Sequence, residues 1–153
     1  MVRSILIAVL ALGGLLAACD RGTPTLPEQA QVTPPPRVTD PAQLALGRKV
    51  YMAHCKECHG EHAEGQPNWR MQGPDGRYPP PPLDGSGHAW HHTNAVLLDV
   101  IKHGSPGGLG NMPGWQDKLS DQEITAVIDW FKSLWPQQAY EVWYQIELES
   151  HRQ

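Results

Sequence analysis

The sequence is short of charge of either sign, of aromatic side chains and of any apolar run long enough to span a bilayer. With 7% aromatic residues and a net charge of -4, it is neither a strongly basic nucleic-acid binder nor an acidic disordered tail. The longest apolar stretch, from Ile5 to Ala18, is too short to cross a hydrocarbon layer of about 30 Å as a helix. Period-two alternation is poor throughout, no βαβ pattern is present and no internal repeat can be found, which removes most β and α/β architectures. Only Cys19, Cys55 and Cys58 carry thiols, so no second cysteine pair stands at zinc-finger distance. No carboxylate pair or activated nucleophile accompanies the histidines. Partners must be inferred from chemistry and not from charge.

What the chain has in quantity is glycine and proline, 15 of each in 153 residues. Long stretches must then be loop, and the core must be built from a few helices. A bound cofactor that contributes apolar surface would explain how so loop-rich a chain folds.

The N-terminus reads as a targeting segment. Arg3 is a short positive region, Ile5 to Leu16 an apolar one, and Leu16-Ala17-Ala18-Cys19 closes it with small residues. It resembles a bacterial lipoprotein signal peptide, which implies residues 1–18 removed and Cys19 lipidated at the mature N-terminus. An ordinary signal peptide or an uncleaved anchor is the alternative. Acyl chains on Cys19 would hold the protein to a bilayer. Asp20 resembles the inner-membrane retention signal of enteric bacteria. The expected place is therefore the cell envelope, on the periplasmic or outer face of the cytoplasmic membrane, with the outer membrane as alternative.

Residues 19–39, with Pro24, Pro27, Pro34, Pro35 and Pro36, read as a tether that reaches roughly 60 Å at most if extended. A helix is expected from Asp40, with aspartate as cap and Pro41 in the first turn, running into Cys55. Residues 60–90 form a long ordered loop. A second helix spans Asn94 to His103 and ends at Gly104. A third runs from Ser120 to Trp135, where Ser120 and Glu123 make a capping box and Pro136 stops it. Its core side is Ile124, Val127, Ile128, Phe131, Leu134 and Trp135. Residues 137–153 are an extension that can carry a surface helix with Trp143 and Tyr144.

Cys55-Lys56-Glu57-Cys58-His59 is the decisive pattern. Two cysteines separated by two residues can form thioethers to both vinyl groups of one haem, and the adjacent histidine then serves as proximal ligand of the iron. A disulfide or redox dithiol at the same pair, or a zinc site recruiting His54, His59 or His62, are the rival readings. Methionine sulfur is soft and favours reduced iron as the second axial ligand. Met112, in the Gly-rich loop 107–113, is the natural choice over Met52 on the first helix and Met71 in the long loop.

Helix, Cys-x-x-Cys-His-Gly, Pro-rich loop, helix, Met112-Pro113 and terminal helix together resemble a class I c-type cytochrome over about Asp40 to Trp135. That resemblance implies an all-α fold: a small helical domain wrapped around one covalent haem c, its first and last helices crossing with Gly47 and Tyr51 against Val127, Ile128 and Phe131. It also implies that Pro81, ahead of Leu83 and Gly85, accepts the N–H of His59, with Pro82 as neighbouring alternative. Trp90 takes the place of a tryptophan that contacts a haem propionate.

His88, His91 and His92 fall outside the family pattern. They are surface or propionate-contacting residues, ligands for copper, or the source of a rival axial ligand. The expected function is one-electron transfer by a membrane-anchored carrier, not catalysis, with redox proteins of membrane complexes as donor and acceptor and no nucleic acid. The alternatives are an electron-accepting subunit of a dehydrogenase or oxidase complex, and a haem-bearing copper-binding or sensor module.

Overall fold

A computed structural model describes residues 37–38 and 40–152. The expected leader, Cys19 and nearly all of the tether lie outside them. Among the described residues there are helices and loops and no strand.

Helix α1 spans Pro41–His54, α2 Lys56–His59, α3 Asn94–His103, α4 Asp121–Ser133 and α5 Gln137–Ser150. Their starts follow local chemistry. Asp40 Oδ1 accepts the Ala42 N–H at 3.0 Å, and Thr93 Oγ1 accepts that of Val96 at 3.3 Å. At α4 the capping box closes in both directions: Glu123 N donates to Ser120 Oγ at 3.3 Å and Ser120 N to Glu123 Oε2 at 2.9 Å. Such caps satisfy amides that the helix itself leaves unpaired.

Helices α1 and α4 form the main packed pair. A methyl group on Gly47 would run into the Ala126 carbonyl and the Trp130 side chain, so glycine is what lets the two backbones touch. Tyr51, fully buried, lays its ring 4.4 Å from that of Trp130. The immediate neighbours of Gly47 are thus Ala126 and Trp130, one step around α4 from the expected Val127 and Ile128. Ile124, Val127, Ile128 and Phe131 are at most 3% exposed, each side chain worth about 1.5–3 kcal/mol of transfer free energy. Leu134, expected in that core, is 39% exposed, because the helix ends at Ser133 and the chain turns before it.

The C-terminal helix departs further from expectation. It is not a surface addition: Tyr140 and Trp143 are buried in the same hydrophobic cluster as α1 and α4. Lys132 Nζ sits 3.3 Å from the centroid of the Trp143 ring and donates to Asn94 Oδ1 at 3.0 Å, so α3, α4 and α5 meet at one lysine. Arg37 reinforces the corner, donating to Lys132 O at 3.0 Å and covering the Tyr140 ring.

Candidate functional site

The long loop between α2 and α3 has no regular structure apart from one short 3₁₀ turn, Ala89–His91, yet backbone bonds to distant partners fix it. Gln66 N donates to Pro80 O at 2.9 Å, Leu83 N to Ala63 O at 2.8 Å and Tyr78 N to Leu109 O at 2.8 Å. Trp135 Nε1 holds its far end through Leu83 O. Loop and helices together enclose a largely apolar cavity of about 720 Å³. That lies within the range of about 300–1,000 Å³ typical of pockets that take a cofactor.

Cys55, Cys58 and His59 line one part of this cavity and Met112 lines another. The chain stays close to helical through Cys55, where α1 ends and α2 begins, which presents the pair and delivers His59 to a buried position. His59 Nδ1 lies 2.9 Å from Pro81 O. A carbonyl only accepts, so Nδ1 carries the hydrogen and Nε2 keeps its lone pair. Burial pushes the His59 pKa down, and the Pro81 carbonyl partly offsets this.

Both cysteines are free thiols in the structure. Burial, with Cys58 beside it, pushes the Cys55 thiol up to about 11.

Met112 is placed by a closed loop. Ser105 N donates to Met112 O at 3.0 Å, and Met112 N donates to Ser105 Oγ at 3.1 Å. Gly104, at φ +88°, turns the chain out of α3, and a side chain there would press on the Met112 carbonyl. Met52 packs against the core instead and Met71 is exposed, so Met112 is the methionine on the cavity wall among the described residues.

Trp90 does not line the cavity. Its ring packs 3.7 Å from that of His91 and against the core. At the short 3₁₀ turn Ala89–His91, Ala89 lines the cavity together with the flanking His88 and His92, and Trp90 does not. The indoles that do line it are Trp69 and Trp115. Trp69, Arg70, Tyr78 and Trp115 carry no sequence signal of this role, since long-range loop bonds put them there. Copper binding at the histidine cluster is not in evidence: among the described residues no three His, Cys, Asp or Glu side chains gather to hold a metal ion. His88 and His92 stand together, while His91 is drawn off by Trp90.

The donor set fits a covalent haem. Paired thiols, an imidazole whose outer nitrogen is already bonded, and a thioether converge on one apolar space of suitable size.

Comparison with known proteins agrees. Residues 42–131 match the family model described as cytochrome C oxidase, cbb3-type, subunit III. The chloroplastic cytochrome c6 of Chlamydomonas reinhardtii is 30% identical over 58% of this chain and 53% of its own length. The Cbb3-type cytochrome c oxidase subunit CcoP of Azospirillum brasilense is 32% identical over 60% of this chain and 28% of its own. That of Azospirillum sp. (strain B510) is 30% identical over the same shares. The chain thus spans about half of the first relative and little more than a quarter of the others. No solved structure matches it. A cytochrome-c-like all-α domain with this motif order belongs to the family of the cbb3-type cytochrome c oxidase subunit III.

Proposed function

We propose that the protein is a monohaem c-type cytochrome that passes single electrons within or to a respiratory oxidase complex at the outer side of a membrane. The observation that carries this is the convergence of Cys55, Cys58, His59 and Met112 on one cavity. The family relation to an oxidase subunit favours service to an oxidase over the role of a free-standing carrier.

Cys55 and Cys58 would hold haem c through thioethers, and His59 and Met112 would occupy its two axial positions. When bound, the haem supplies the reversible Fe(II)/Fe(III) couple. The protein does the rest. The Pro81 carbonyl fixes the His59 ring and raises its basicity, the apolar wall keeps water away, and the clasp at Ser105 holds the thioether in place. No helix among the described residues is long and apolar enough to cross a membrane, so attachment would fall to the lipid on Cys19.

A visible and near-infrared spectrum of the mature protein tests the reading, because it reports haem type and both axial ligands. Acid extraction that leaves the pigment on the polypeptide supports the thioethers; extraction that strips it refutes them. Copurification with a catalytic oxidase chain separates the subunit role from that of a mobile carrier.

A further inference from the structure

The cavity lining carries a stack of rings that electron transfer alone does not require. Arg70 lies over the Trp69 ring at 4.1 Å, Trp69 stacks on His88 at 5.3 Å and 17°, and His88 meets His92 edge-on at 5.4 Å. Trp69, Arg70, His88 and His92 all line the cavity. His88 is exposed and His92 half-buried, so solvent protons reach the pair.

The charges around the pair are one-sided. Among the described residues that line the cavity there is no carboxylate. The groups facing His88 are His92, His91 and Arg70, and the group facing His92 besides His88 is His91. From α5, Glu147 reaches the backbone of Asn94, but it is engaged by His151 and stands beside Lys132. Burial first, and then these neighbours, hold both imidazoles below their usual range. They are therefore neutral near pH 7 and able to accept a proton once their surroundings become less positive.

We propose that the His88–His92 pair takes up part of a proton from solvent, about a quarter to a half at most, when the cavity's cofactor accepts an electron. The inference rests on the haem reading above. The electron comes from the redox donor, the proton from water, and one ring nitrogen gains an N–H bond. On oxidation the same proton is released. The sign follows from linkage: uptake on reduction makes the potential fall as pH rises, by at most about 59 mV per tenfold change in proton concentration.

The test is the midpoint potential of the holoprotein measured between about pH 5 and 8, for the native chain, the double variant His88→Gln/His92→Gln and His91→Gln. The pair should bind its proton three- to tenfold more tightly in the reduced state, which is about 30–60 mV across the range. The double variant should be nearly flat, while His91→Gln should keep the slope, because that ring is turned onto Trp90. A slope that persists in the double variant would assign the proton to another group, such as the cofactor's own carboxylates, and overturn the proposal. Should the double variant not fold, NMR titration of the His88 and His92 ring protons in the native protein decides. Higher midpoints in the reduced form support the proposal, and equal midpoints overturn it. A sample without thioether-bound pigment would instead fail the haem reading, so the two failures are distinct.

Discussion

The indole N–H of Trp135 donates to the Leu83 carbonyl across 2.9 Å, joining the chain just beyond α4 to the loop that presents Pro81. Helix packing at the back of the domain is thereby transmitted to the acceptor of the His59 N–H. Replacing Trp135 by Phe keeps most of the ring but leaves that carbonyl unpaired. The expected cost is about 1–3 kcal/mol in urea denaturation. An unchanged unfolding midpoint would show that the bond contributes nothing.

Gly47→Ala should be the most damaging single-carbon change on α1. The added methyl meets backbone at Ala126, which cannot swing away as a side-chain tip can. Overpacking of this kind costs about 1–3 kcal/mol, and the thermal midpoint should fall accordingly. The result that contradicts this is a variant as stable as the parent.

Lys132 gives a pH signature. Burial holds its ammonium at about 8 against an ordinary 10.5, although Asp129 and Glu147 pull the other way. Between those values the unfolded chain binds a proton that the native chain does not. Stability therefore rises with pH across that window, by on the order of 3 kcal/mol. Lys132→Met should abolish this rise, as judged by urea midpoints at both ends of the window. An identical rise in the variant would place its origin elsewhere.

Met112→Ala should alter the ferric spectrum and lower the potential while the haem stays covalently attached. Met71→Ala, at an exposed position, should do neither. If the two variants exchanged these effects, the ligand assignment would be wrong.

Where chemistry is local, the sequence was informative. Asp40-Pro41, Gly104 and the Ser120–Glu123 pair mark helix ends through bonds spanning two to four residues, and the helices begin and end near them. The motif Cys55-Lys56-Glu57-Cys58-His59 and Met112 could be read as candidates for the same reason: side-chain chemistry identifies them before any fold is known. What could not be read depends on the return path of the chain. Trp69 reaches the cavity only because the loop around it is tied at Pro80 and Leu109, and no periodicity encodes such ties. Trp90 packs against His91 and the core and not on the cavity wall, a placement its residue type does not reveal. Trp143 and Tyr140 lie three apart on a helix of weak amphipathic character. Their burial follows from the position of Lys132 and Arg37, which sequence spacing does not reveal.

The reciprocal clasp between Ser105 and Met112 has a corollary for the loop it closes. The segment between stays on the cavity wall at Pro106, Leu109, Gly110 and Asn111, and only Gly107 and Gly108 stand off it. Gly107 and Gly108, with open space beside them, sit at its outermost turn. Insertions at that turn would remodel the outward face while the Ser105–Met112 clasp keeps the sulfur on the cavity wall.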